Sequence, residues 1–411
     1  MSRKKMYRLL AFIIGTFALL GIVVSVEFSR YTNRSGEQSN NDVQRANDSQ
    51  TITGRGQSPG EGADAVSENA SGQEGYSDPA GSSAPVENSA ANTGDNDLLV
   101  KNDIELLFSG DINMTDNILN KYNQDGIDGI LSKDLQEEFK NADIAMVNQE
   151  FAFTNRGTPA ADKQYTFRAD PKNVQIFKDM QVDVVTLANN HTMDFGIDGL
   201  TDSFDILNTA GIKYVGAGHN ISEAREIKYV DVKDKRIAFL GASRVIPEPD
   251  WNAYSNKAGM LTTYDPAFLL EDIKTAKTQS DFVVVYVHWG LEKQESPQEY
   301  QRNLAKQYID VGADLVVGSH PHVLQGIEYY NGKPIIYSLG NFMFYNSINQ
   351  TALLKVTLND QGEVNVRLIP GKAENAYTYM LDNETDKSEF YQHMKRISFG
   401  IDFDNGGNVI H

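Results

Sequence analysis

An α/β fold is what this sequence of 411 residues predicts, on three observations. Short continuous apolar runs rich in β-branched residues recur beyond residue 100, as strands covered on both faces require. Helix-like stretches separate them, which is the alternation of an α/β domain. Nearly every run ends in polar residues, where open α/β sheets place their ligands.

The chain begins with Arg3, Lys4, Lys5 and Arg8, followed by an apolar run of 18 residues from Leu9 to Val26. As a helix, that run crosses most of a hydrocarbon core of about 30 Å. The cations on its N-terminal side place the N-terminus inside. The run is longer than the apolar part of a signal peptide, and Val24-Ser25-Val26 is a poor cleavage site. Residues 1–30 are therefore expected to form a single transmembrane helix at the cell membrane, with the rest of the chain extracytoplasmic. Residues 31–100 carry eleven acids against three cations and few apolar residues. Such a segment cannot bury enough apolar surface to offset its ordering entropy, so a disordered polar linker is expected.

The domain proper is expected over residues 101–371. Its candidate strands are Ile104–Phe108, Ile144–Val147, Val182–Leu187, Arg236–Leu240, Phe282–Val287, Leu315–Val317 and Ile335–Tyr337. The helix-like segments are Pro171–Met180, Ile197–Ala210, Pro266–Thr278 and Pro297–Val311, with Gly211 and Gly312 as C-caps. Leu353–Leu358 and Glu363–Leu368, around Asn359-Asp360-Gln361-Gly362, read as a hairpin. Residues 372–411, a C-terminal extension, have no clear period. They leave open a further strand or helix, or a loose surface segment.

The strand ends carry the chemistry. In chain order they run into Gly110-Asp111, then Asn148-Gln149-Glu150, then Asn189-Asn190-His191 with Asp194. The later ones run into His288-Trp289-Gly290 with Glu292, Gly318-Ser319-His320-Pro321-His322 and Ser338-Leu339-Gly340-Asn341-Phe342. Of seven histidines, His191, His288, His320 and His322 follow strands, while His219, His393 and His411 do not. A His-x-His pair can aim two imidazoles at neighbouring sites, and a carboxylate such as Glu150 or Asp111 can bridge two cations. Two ions about 3.5–4 Å apart hold both the attacking and the leaving oxygen of a displacement. An adjacent imidazole that is not a ligand can protonate the leaving group. The chain has no cysteine. Its donors are therefore His, Asp, Glu and Asn, a set suited to one or two divalent ions such as Mn, Fe, Zn or Mg. Taken singly, the same residues have ordinary readings as helix caps, turn residues or buried hydrogen-bonded pairs.

In this order, over residues 103–345, the motifs resemble the CapA/PgsA family of capsule and poly-γ-glutamate biosynthesis proteins. That family is similar to the calcineurin-like metallophosphatases, and the resemblance implies a metallophosphatase-like four-layer α/β/β/α sandwich. It implies one metal held by Asp111, Glu150 and His322 and a second held by Glu150, Asn190, His288 and His320. It makes His191 a general acid oriented by Asp194. Arg168 and Asn341 become candidate substrate-binding residues, Arg168 because its planar fork matches a carboxylate or phosphate. Two departures stand out: Asn113 occupies the place of a metal-binding histidine, and Asn148-Gln149-Glu150 replaces a Gly-Asp-x-x-Asp motif.

A formal net charge of −19 repels nucleic acid and excludes it as a partner. The same field opposes an anionic polymer, so any contact with one must be local. Three functional readings follow. The first is a membrane-anchored component of capsule or poly-γ-glutamate synthesis or export, working beside the synthase membrane subunits. The second is a metal-dependent hydrolase of a phosphoester or other cell-envelope substrate. The third is a non-catalytic module that binds an anionic polymer.

Overall fold

The computed structural model describes residues 103–359 and 361–411. The expected membrane helix and the linker lie outside the described residues. Among the described residues, no helix is long and apolar enough to cross a membrane.

Two sheets form the centre. In the first, β1 (Ile104–Ile112), β2 (Ile144–Gln149), β3 (Val184–Thr186) and β4 (Lys213–Val215) run parallel. The second is built from β5 (Lys228–Val232), β6 (Lys235–Ser243), β7 (Phe282–His288), β8 (Leu315–Ser319), β9 (Leu324–Tyr330) and β10 (Lys333–Leu339). The chain then returns to the first sheet as β11 (Asn341–Met343), β12 (Ile348–Leu358), β13 (Val364–Glu374) and β14 (Tyr377–Met380). The strand orders are β14-β13-β12-β1-β2-β3-β4, with β11 also pairing with β1, and β9-β10-β8-β7-β6-β5. In the second sheet β6, β7, β8 and β10 are parallel, and β5 and β9 are antiparallel edges.

Alternation along each strand sorts the side chains into layers. Leu106, Phe108, Met146 and Val184 of the first sheet meet Phe239, Val284, Tyr286 and Val317 of the second in one core between the sheets. The opposite faces are covered by helices. On the first sheet these are α1 (Asp116–Asp125), α2 (Lys133–Asn141), α3 (Val174–Asp179) and α4 (Gly196–Ala210). On the second they are α5 (Ala267–Gln279) and α6 (Glu299–Asp310). Each helix buries one stripe: Leu200, Phe204 and Leu207 of α4 follow the i, i+4, i+7 spacing. Layers of helix, sheet, sheet and helix result.

The elements follow the sequence closely, with informative differences. The strand expected to stop at Phe108 continues to Ile112, with its register against β2 broken between Phe108 and Asp111. Asp111 thus sits at an irregularity within a strand, a device that re-aims side chains near sites. The segment expected to be helical from Pro171 opens as a single 3-10 turn capped by Asp170, whose Oδ1 accepts the Lys172 N–H at 3.0 Å. Residues beyond 371 complete the domain. β13 and β14 extend the first sheet, and α7 (Glu384–Ile397) places Phe390 and Met394 in the core between the sheets. Asn383 caps α7 by accepting the Asp386 N–H at 2.8 Å, and Lys395 and Arg396 oppose the dipole in its last turn.

Candidate metal centre

The strand ends of the two sheets converge at one edge because their backbones touch there. A Cβ on Gly110 would lie 1.9 Å from the Gly340 carbonyl oxygen, so only glycine permits the approach. The Asp111 N–H donates to that carbonyl at 2.8 Å. Across the gap, the Tyr286 hydroxyl donates to the Ser109 carbonyl at 2.9 Å. The Asp111 carboxylate accepts the His320 backbone N–H at 3.2 Å and an Asn148 amide hydrogen at 2.7 Å.

Around this junction two groups of donor atoms lie within 4.8 Å of one another: Glu150, His288 and His320, and Asp111, Glu150 and His322. Glu150 belongs to both. Its Oε1 is 3.8 Å from His288 Nε2 and 3.9 Å from His322 Nε2, too far for hydrogen bonds. The Asn190 Oδ1 joins at 2.7 Å from His288 Nε2. His320 and His322 adopt φ of +98° and +58°. Left-handed backbone at two non-glycine residues costs of order 1–3 kcal/mol each and is characteristic of functional sites.

The electrostatics suit a cation. Glu150 is fully buried, and among the described residues neither of its oxygens has a hydrogen-bond partner, nor does His320 Nδ1. Unpartnered buried carboxylate oxygens are costly in any interior, and a divalent ion would partner them. Burial and the neighbouring Asp111 charge push the Glu150 carboxyl well above its usual range. Burial pushes His288 well down and His320 down to about 3, so both present neutral imidazoles. At Asp111 burial works upward, but the hydrogen bond and charge of His322 outweigh it and hold the carboxyl low. His322 is raised in return, despite its own burial. This buried donor set of His, Glu, Asp and Asn fits divalent ions.

Beside it, His191 Nδ1 lies 2.6 Å from Asp194 Oδ2, and the ring stacks on Phe167 with centroids 4.2 Å apart. Asp194 is fully buried and also accepts the Phe167 N–H at 2.6 Å. Lys163, a residue that sequence reasoning missed, donates to Asp194 and to the Asn190 carbonyl. Its Nζ sits 3.0 Å from His191 Nδ1 and 5.2 Å from the Trp251 ring centroid. Asn148, in sequence only a member of a motif, links the two donor groups. Its Nδ2 lies 2.7 Å from Asp111 and 3.3 Å from His288 Nδ1, while its Oδ1 accepts from Asn189 at 3.0 Å.

The two expected substrate-binding residues differ in their surroundings. Arg168 is exposed, with its guanidinium 4.5 Å above the Phe195 ring, and no contact among the described residues joins it to the donor groups. Asn341 is buried, and its Oδ1 lies 2.8 Å from His322 Nδ1, so it contacts a donor imidazole. Asn113 is buried at the same edge, its N–H donating to the Met343 carbonyl. His219 pairs with Glu223, His393 with Glu295, and His411 stacks on Tyr329.

Comparison with known proteins finds relatives in sequence. The chain is 36% identical over 268 residues to the PGA biosynthesis protein CapA of Bacillus subtilis, covering 64% of this chain and 70% of that one. It is 32% identical over 303 residues to the capsule biosynthesis protein CapA of Bacillus anthracis, covering 71% and 73%. It is 30% identical to a probable polyglutamine synthesis accessory protein of Mycobacterium tuberculosis, covering 63% and 74%. Among solved structures, a novel phosphatase of Mycoplasma pneumoniae aligns over 72% of this chain and 99% of its own, at 14% identity and a TM-score of 0.43. That overlap is too weak to bear on the assignment, which rests on the sequence matches. The model of the family described as bacterial capsule synthesis protein PGA_cap matches residues 105–346, and this chain belongs to that family.

Proposed function

We propose that this protein is a membrane-anchored, extracytoplasmic component of capsule or poly-γ-glutamate synthesis or export, with a metal-dependent hydrolytic centre of the metallophosphatase type. The observation that carries the metal reading is Glu150, fully buried, with both oxygens unpartnered among the described residues, between two sets of donors. Asp111, Glu150 and His322 would hold one ion, and Glu150, Asn190, His288 and His320 a second. When bound, such ions supply Lewis-acid polarisation of the scissile bond and activate water. The protein's own groups do the rest. The contact of His191 with Asp194 sets the proton on Nδ1 and leaves Nε2 to exchange a proton with a leaving group. Phe167 covers one face of that ring. Asn148 holds Asp111 and His288 in mutual register. The anchor and the outside location rest on the N-terminal sequence, and the capsule role on the family and on the names of the relatives.

The test is the metal content of the full chain purified without chelator, in wild type and in Glu150→Gln. One or two ions per chain in the wild type and a loss in the variant support the reading; a metal-free wild type sinks it. Deleting the gene and quantifying surface polymer tests the capsule role, and an unchanged amount refutes it. Asn113, which deprives the Asp111 side of an imidazole, favours a second reading, a polymer-binding module without turnover. That reading predicts saturable polymer binding that survives chelation.

A further inference from the structure

A cavity of about 530 Å³ opens from the donor cluster toward solvent, with Asn190 and His320 on its lining. It contains a cation that sequence reading passed over. Arg244 follows β6 immediately, and its backbone N–H donates to the His288 carbonyl at 2.7 Å, so it is fixed next to a donor residue. Its guanidinium lies 4.2 Å from the ring centroid of Tyr264 and 5.4 Å from that of Tyr300. Tyr300 is itself tied down, since its hydroxyl accepts the Gly290 N–H at 2.7 Å.

Among the described residues, Arg244 has no carboxylate within 4 Å, and its one side-chain hydrogen bond, to the Thr263 carbonyl, is long at 3.4 Å. Four of the eight arginines among the described residues behave otherwise: Arg156, Arg225, Arg236 and Arg302 each pair with a carboxylate. Glu292 is on the same lining, but it is exposed and forms no ion pair with Arg244. A planar cation flanked by aromatic rings keeps its N–H edges free, in the geometry that carboxylates and phosphates match. Val245, Ile246 and Leu291 on the same lining offer apolar surface to the hydrocarbon between charged groups.

We infer that Arg244, Tyr264 and Tyr300 form the oxyanion subsite of this centre, which takes a carboxylate or phosphate group of the substrate beside the donor cluster. The inference rests on the reading of the centre given above and names the substrate class it would accept. A chain of net charge −19 repels a polyanion at long range, so capture requires a local cation left without a carboxylate partner, and among the described residues Arg244 is one.

The test is calorimetric titration of the full chain in detergent with a γ-linked hexaglutamate, the same hexamer with its α-carboxylates amidated, and inorganic phosphate. Wild type, Arg244→Gln and Arg244→Lys are compared, each checked for metal content and thermal transition. The expected result is hexamer binding that weakens about tenfold or more in Arg244→Gln, with Arg244→Lys intermediate and the amidated hexamer silent. Loss of one charge-assisted pair supports a change of that size. Binding of phosphate in place of the hexamer, with the same dependence on Arg244, also supports the subsite and names phosphate as the group. Equal affinity of wild type and Arg244→Gln for whichever probe binds, or no binding of either probe to wild type, overturns it. Metal content separates the two ideas. Arg244-dependent binding to a metal-free protein sinks the hydrolase reading alone, and a metal-loaded protein indifferent to Arg244 sinks the subsite alone.

Discussion

The Nδ1 of His322 lies 2.8 Å from the Oδ1 of Asn341, and the same nitrogen is 3.4 Å from the Asp111 carboxylate. Both partners accept, so the proton belongs on Nδ1 and the lone pair on Nε2, the nitrogen 3.9 Å from Glu150. Outer partners that fix a ligand tautomer in this way typically affect metal affinity about 10–100-fold. Asn341→Ala is therefore expected to weaken metal binding by about that factor while leaving the thermal transition of the metal-free protein within a few degrees. Competition against a chromophoric chelator measures it. An unchanged affinity would return Asn341 to the role of a substrate contact.

Glu150 gives a prediction with two readouts. In the metal-free protein burial and the neighbouring Asp111 disfavour the charged form of its carboxyl and hold it well above the usual range. Glu150→Gln keeps the side chain's shape without a charge and is expected to leave metal-free stability unchanged or slightly raised. In the wild type, an ion at 100 times its dissociation constant stabilises by about 2.7 kcal/mol, or roughly 5 °C for a domain of this size. That increment should disappear on chelation and be absent from Glu150→Gln. A variant whose transition still rises on adding Mn or Zn would place the ion elsewhere.

How much of this was legible in the sequence follows from where each residue's neighbours come from. β7 is readable because Val283, Val285 and Val287 face the helices while Val284 and Tyr286 face the other sheet. Two covered faces leave a continuous apolar run. The histidines are readable because each interrupts such a run at its end. Lys163 is not readable, because its partners Asn190, His191 and Asp194 lie across a loop of ordinary composition, in contact only after folding. Arg244 sits after a strand whose end carries no motif. α7 is hidden because its stripe is narrow, Phe390 and Met394 among charged residues. Arg168 stands in a motif, but the ring beneath its guanidinium, Phe195, is 27 positions away in the chain.

Away from the centre, Glu328 sets an acid limit. Burial would raise its pKa, but hydrogen bonds from Arg302, Tyr337 and Lys306 outweigh it and bring it to about 2. The contacts are 2.9 and 3.0 Å to Arg302, 2.8 Å to the Tyr337 hydroxyl and 3.1 Å to Lys306. A carboxyl depressed by folding stabilises above its unfolded value and loses that contribution as pH falls through the folded one. The contribution is thus complete above about pH 4.5 and gone near pH 2, and at 1.36 kcal/mol per unit it amounts to about 3 kcal/mol. Urea denaturation between pH 6 and pH 2 should show a steeper acid loss in wild type than in Glu328→Gln. Parallel curves would contradict this assignment.

The ion pair of Lys163 with Asp194 tests whether the site is held by charge as well as by packing. Asp194 is fully buried, and its other partners are the Phe167 N–H and His191. Lys163 is itself mostly buried, and burial lowers its pKa, so the pair is formed at a desolvation cost on both sides. Lys163→Met removes the cation and leaves a buried carboxylate that two hydrogen bonds only partly satisfy. The expected loss is about 3 kcal/mol of unfolding free energy, the size seen when one member of a buried pair is deleted. Asp194→Asn in the same chain removes the stranded charge, so the double variant should regain most of that loss. A double-mutant cycle in urea gives the coupling directly. If the double variant is as unstable as the sum of the single ones, the two side chains are not coupled. His191 is then oriented by Asp194 and the Phe167 ring without help from the lysine.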